Sequence, residues 1–136
     1  METIFSKIVA GELPCFKVYE DEHVLAFLDI HPIQPGHTLV VPKVASENGL
    51  SAKPEDLAHI MRAAQKIGNA LINIIGCDGI NFLMNNGEAA GQKVFHTHLH
   101  LIPRFDNDGV YEEPMPGEYE DGEASQLAEA IQEEVK

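Results

Sequence analysis

The sequence predicts an α+β fold, an antiparallel sheet carrying one long helix, with a short helix near each end of the chain. Three features point there. The stretch from Pro54 to Ile75 places apolar residues at helical spacing, whereas short β-branched or aromatic runs fall on either side of it. Glycine, proline and asparagine cluster between those runs, at spacings short enough for hairpins. The 136 residues suffice for one domain with a core of its own.

Ile4, Phe5, Ile8 and Val9 recur at helical spacing ahead of Gly11, which predicts a short N-terminal helix. Cys15–Tyr19 and Val24–Leu28 read as strands joined by the turn Glu20-Asp21-Glu22-His23. The segment from Asp29 to Gly36 holds two prolines and a glycine and reads as a loop. His37–Val41 is a third strand, stopped by Pro42.

The long helix is bounded by its own chemistry. Pro54 suits the first turn, Glu55 and Asp56 complement the positive end of the dipole, and Gly76 supplies the stop. Leu57, Ile60, Met61, Ala64, Ile67, Leu71, Ile74 and Ile75 form its expected apolar stripe, a surface for core or dimer packing. About 22 residues at 1.5 Å each give a helix roughly 33 Å long.

Asn81–Asn85 is the next expected strand. Asn86-Gly87 and the small-residue loop to Gln92 lead to a last strand over Val94–Ile102, ended by Pro103. Beyond Asp106 the chain is acidic and irregular as far as Glu123. Leu127, Ala128, Ile131 and Val135 then share one face of a short helix over Ser125–Val135, expected to dock.

The net charge is −13, and its placement is uneven. From Asp106 onward there are eleven acidic residues against one lysine, whereas residues 1–105 carry eleven acids and eight bases. An acidic chain disfavours general affinity for nucleic acid or anionic membrane, yet a local pocket for a small phosphorylated substrate remains open. No run of apolar residues is long enough to span a bilayer, and the N-terminus lacks a basic stretch followed by an apolar one. Cys15 and Cys77 are far apart and form no CxxC pair, which favours free thiols in a reducing compartment, the cytoplasm.

The chemistry concentrates in His96, His98 and His100, which alternate along the last expected strand, with His37 opening another. In a strand the three imidazoles would line one face at roughly 6.6 Å intervals. Phe95, Thr97, Leu99 and Leu101 would then turn to the core. Three imidazoles titrating near neutrality can serve as nucleophile, proton donor and anion ligand. A zinc pair at i and i+2 is the competing reading. It is weakened because the third histidine sits too far along a strand and no carboxylate lies between Lys93 and Arg104.

Val94-Phe95-His96-Thr97-His98-Leu99-His100-Leu101-Ile102-Pro103-Arg104 resembles the His-x-His-x-His signature of the histidine triad (HIT) superfamily. Phe5–Pro14, Phe27-Leu28-Asp29-Ile30, Gly36–Lys43 and Asn85-Asn86-Gly87 match further segments in the family's order. Within the family the chain is most similar to the small dimeric purine-nucleotide phosphoramidases. The resemblance implies a HIT domain over residues 1–105 and an acidic extension, with its short helix, over 106–136. It implies reaction at the α-phosphorus of a purine nucleoside phosphoramidate or adenylated amine, releasing AMP through a nucleotidyl-histidine. It makes His98 the nucleophile, flanked by His96 and His100, with His37 in support. It places Asp29 on the ribose and Ile30 near the base. Asn85, Gly91 and Gln92 would frame the phosphate, and Lys93 would add positive charge. No cofactor is implied.

Two departures bear on metal and specificity. Relatives that hold structural zinc use an N-terminal CxxC and a histidine after the Pro-Lys pair, where this chain has Thr3, Ser6 and Ala45. No metal is therefore expected. Thr97 stands where the family usually has an apolar spacer. The resemblance also implies a homodimer. A dinucleoside polyphosphate hydrolase is the nearer alternative activity. The further alternative is a nucleotide-binding sensor or scaffold, acting through a protein partner that engages the acidic tail.

Overall fold

A run of good helix formers between a proline and a glycine builds α2 (Pro54–Ile75), with Gly76 in the left-handed conformation at φ 75° and its N–H donated to the Ile72 carbonyl. These are the ends the sequence predicts. The computed structural model describes residues 2–136. Before α2 come α1 (Ile4–Val9), β1 (Lys17–Glu20), β2 (Val24–Leu28) and β3 (Thr38–Pro42). After it come β4 (Gly79–Leu83), a 3-10 turn over Glu88–Ala90, β5 (Leu99–Arg104) and α3 (Glu123–Val135).

The five strands form one antiparallel sheet in the order β1-β2-β3-β5-β4. Asp21 closes the β1–β2 hairpin by accepting the backbone N–H groups of His23 and Val24. Helix α2 covers one face, where Ile60, Ala63, Ala64, Ile67 and Leu71 pack on Val24, Ala26, Val40, Leu99 and Leu101. Helix α1 and its flanks cover the other, where Phe5, Ile8 and Val9 meet Leu25, Phe27, Leu39 and Val41. Strands covered on both faces explain why β2 and β3 are apolar without alternation. Met61 and Ile74, expected in the apolar stripe, are 49% and 85% exposed because they lie outside the sheet-facing arc.

Several expectations need correction: β4 spans Gly79–Leu83 rather than Asn81–Asn85, and β3 takes in Pro42 instead of stopping at it. Strand β5 begins at Leu99 rather than Val94, because residues 94–98 have no ladder partner, and it runs through Pro103 to Arg104. Pro103 fits because β3 pairs only as far as Leu101, so beyond it β5 is bonded on its β4 side alone. The C-terminal helix starts at Glu123, two residues earlier than predicted, and buries none of its residues; Leu127, Ile131 and Val135 remain 47%, 52% and 79% exposed. It does not dock on its own body.

One glycine constrains the site directly. Gly36 has φ 94°, and a Cβ there would collide with Ile75 Cδ1 while also pressing on Leu71 and Pro103. The chain therefore crosses the end of α2 at its closest approach just before His37. Cys15 and Cys77 are free thiols. No described helix is long and apolar enough to cross a membrane.

Candidate active site

His100 lies within β5, opposite Leu39 of β3 and Leu83 of β4. His37 immediately precedes β3 and is 2% exposed. The Ile33 backbone N–H donates to His37 Nδ1 at 3.1 Å, so the neutral ring must carry its proton on Nε2. That Nε2–H in turn donates to His100 Nδ1 at 2.9 Å, which leaves the His100 proton on Nε2. Nδ1 of His98 lies 2.6 Å from the His96 carbonyl oxygen, an acceptor, and must carry the proton there; Nε2 of His98 keeps a lone pair. His96 donates from Nε2 to the Pro42 carbonyl at 3.1 Å, and its Nδ1 accepts from the Thr3 hydroxyl at 3.3 Å. Each ring thus has one proton position, dictated by a partner of fixed polarity.

These rings are close. His98 and His100 have centroids 4.9 Å apart, and His37 and His100 5.2 Å. The single strand face expected for the triad is not what forms: only His100 is in the ladder, while His98 folds back onto the His96 carbonyl. Phe95 is 39% exposed and does not join the core, whereas Thr97 is buried. Phe5 of α1 stands edge-on to His98 at 5.0 Å and to His96 at 6.1 Å, giving the triad an apolar wall.

Burial pushes all four imidazoles below their ordinary value. His100 is driven furthest, to about 4, by burial first and then by its neighbours His98 and His37. The Asp29 carboxylate opposes the shift on His37, His98 and His100. It lies 3.7 Å from His37 Nε2 and is oriented by the His31 N–H, which it accepts at 2.9 Å. At neutral pH the site therefore presents unprotonated His98 Nε2 beside neutral hydrogen-bond donors.

Residues 10–107 match the HIT domain model. The chain belongs to the HIT family. It is 52% identical over 110 residues to an uncharacterized HIT-like protein of Borreliella burgdorferi, covering 79% of each chain. It is 38% identical over 133 residues to the Arabidopsis thaliana protein named adenylylsulfatase HINT3, covering 96% of this chain and 68% of that one. Among solved structures, a HIT family protein from Bacillus anthracis is 45% identical with a TM-score of 0.90, covering 98% of this chain and 96% of its own. The family includes hydrolases.

In this HIT protein the loop before the triad is held by Gln92. Its side chain, 3% exposed, accepts the Gly87 N–H and donates to the Glu47 and Val94 carbonyls. Both ends of the amide are committed to the fold, so Gln92 shapes the loop instead of reaching into the site. Asn85 reaches the Gly91 carbonyl at 3.5 Å, and Gly91 adopts φ 98°. Lys93 is exposed and, with Glu88, Gly91, Gln92 and Phe95, lines an open cavity of about 410 Å³. Ile30 is 69% exposed on the loop that carries Asp29. Lys43 pairs with Glu20 at 2.8 Å and Arg104 with Asp108 at 2.7 Å.

The residues do not fit a metal. Asp29, His37 and His100 bring ligand-type atoms within 4.8 Å of one another. Yet the Ile33 bond places a proton on the His37 nitrogen that would have to coordinate. At the zinc position of relatives, Thr3 and Ser6 satisfy each other's backbone in a capping box around the start of α1. Those two hydroxyls are consumed by the helix and by His96. Sequence reasoning missed Thr3, Phe5 and Ser46 as neighbours of the triad; the Thr-x-x-Ser spacing at the start of α1 was the one readable signal.

Proposed function

We propose that this HIT protein hydrolyses purine nucleoside phosphoramidates or adenylated amines at the α-phosphorus, through a nucleotide covalently held on His98. One observation carries the reading: the bond from His98 Nδ1–H to the His96 carbonyl leaves Nε2 unprotonated in a buried setting. The Nε2 lone pair forms the bond to phosphorus as the bond to the leaving amine breaks, and the amine takes a proton from solvent. Water then cleaves the N–P bond, releasing AMP and a proton and restoring the neutral ring. His100, donating from Nε2, stabilises charge on the phosphoryl oxygens, and His37 fixes that donor. His96 holds the strand approach through Pro42. Asp29 takes the ribose hydroxyls, Ile30 the base, and the backbone of Asn85 to Gly91 frames the phosphate. Gln92 keeps that frame in shape, and Lys93 adds positive charge at its mouth.

Incubation with adenosine 5′-phosphoramidate in the presence of a chelator, followed by acid-free trapping of the histidine-bound nucleotide, tests the proposal. His98→Ala should abolish AMP release while nucleotide binding persists; full activity in that variant overturns the assignment. The Arabidopsis relative's name favours a second substrate arm, adenylyl sulfate, with sulfate as the leaving group. Relative rates on the phosphoramidate, adenylyl sulfate and diadenosine polyphosphates rank these readings and the polyphosphate hydrolase alternative.

The exposed apolar face of α3 supports a homodimer in which that helix packs on a second copy. The free thiols support residence in a reducing cytoplasm. A sensor role through the tail would be favoured if truncation spared turnover but removed a captured protein.

A further inference from the structure

The peptide unit joining His96 to Thr97 is held from both sides. Its carbonyl accepts the His98 Nδ1–H at 2.6 Å, and its N–H donates to the Ser46 carbonyl at 2.9 Å. Because a trans peptide points its C=O and N–H in opposite directions, fixing one end aims the other. The Thr97 hydroxyl also donates to the Ser46 carbonyl, at 3.2 Å, and the Ser46 hydroxyl donates to the Thr97 oxygen at 2.6 Å. Thr97 is 1% exposed, so water does not compete for these bonds. None of them belongs to the sheet: β5 begins at Leu99, and no ladder bond orients this peptide.

We propose that Ser46 and Thr97 form a clasp that sets the tautomer of His98, making them positioning residues for the nucleophile. The clasp replaces the missing ladder bonds. It holds the 96–97 peptide so that its carbonyl faces His98 Nδ1, and the N–H donated to Ser46 polarises that carbonyl into a stronger acceptor. An aliphatic side chain at 97 would leave the Ser46 hydroxyl without its partner and the peptide held by its backbone N–H bond to Ser46 alone, with more room to rock. The inference rests on the proposed role of His98 for its effect on rate, but its effect on the proton position of His98 stands apart from any substrate.

The test compares full-length wild type with Thr97→Val, Ser46→Ala and Thr97→Ser, reading the His98 ring by ¹⁵N NMR and turnover on adenosine 5′-phosphoramidate. Wild type should show one tautomer, protonated at Nδ1. Thr97→Val should show a mixture, with kcat reduced about tenfold, the rate equivalent of one hydrogen bond, and KM little changed. Thr97→Ser, which keeps the hydroxyl, should restore both. A single Nδ1–H tautomer in Thr97→Val overturns the clasp. If Thr97→Val does not fold, Ser46→Ala decides by the same signal: a mixture supports the clasp and the wild-type spectrum overturns it. A shifted tautomer with unchanged turnover supports the clasp and instead removes His98 from the nucleophile role.

Discussion

His37 donates its Nε2 proton to His100 Nδ1 at 2.9 Å, and it does so because the Ile33 amide has claimed its other nitrogen. The proton on His100 is thereby placed on Nε2. His37→Ala should release His100 to either tautomer and lower kcat about 10- to 100-fold, the range for a buried acceptor left unpaired. KM should move less than kcat. Steady-state kinetics on adenosine 5′-phosphoramidate check this, and an unchanged kcat would show that the relay does not matter.

Acid should weaken the fold in a defined window. His100 titrates at about 4 in the folded protein, against 6.5 ordinarily, so between those values the unfolded chain binds more protons. This contribution to stability is complete above about pH 6.5 and is lost as pH falls towards 4. Thermal melts across that range should show a falling Tm. His100→Gln should lessen the dependence, since the most strongly shifted group is gone while His37, His96 and His98 still contribute.

Catalysis should tolerate acid better than a free imidazole would. Burial lowers His98, so the acid limb of kcat/KM should fall below pH 6.5. A limb at or above that value would mean that the nucleophile is not a buried histidine.

Gly36→Ala should be costly. It combines φ 94° with a collision against Ile75, whereas Gly109, at φ 66°, has open space around its Cα. Strain and overpacking together suggest about 2–4 kcal/mol for Gly36, against about 1 kcal/mol for Gly109→Ala. Differential calorimetry on the two variants separates the terms. Equal losses would show that the contact with α2 relaxes freely.

Leu127→Asp and Ile131→Asp place charge on the exposed face of α3. Light scattering should report a shift from dimer to monomer for these variants, with the wild-type helical signal of the body retained. A wild type that is monomeric at micromolar concentration removes the proposed packing.

Legibility followed how local the determining chemistry was. Pro54 and Gly76 bound α2 through backbone geometry that each carries alone, and both ends were readable. The start of β5 was not, because alternation of His96, His98 and His100 suits a strand but ladder bonds need neighbours. Those partners, β3 and β4, are set by distant sequence and run out at Leu99. The triad was visible in its spacing. That Gln92 ties down three backbone groups, or that Thr97 meets Ser46, depends on how residues 46–48 pass the loop, which spacing does not encode. The face of α3 was also legible, but the expectation that it docks was not met, because the body of the chain buries none of it.

Four histidines with fixed, single protons leave the resting imidazoles electrically neutral, while Lys43 and Arg104 are already matched by carboxylates. An arriving nucleotide meets oriented dipoles around the triad, with the proposed charge of Lys93 only at the mouth, so its binding displaces few small anions. Its affinity should therefore respond only weakly to ionic strength, in contrast to pockets that trap phosphate with paired arginines. Such a site distinguishes ligands by the direction of their hydrogen bonds more than by their total charge, which suits the proposed reaction at a phosphoramidate.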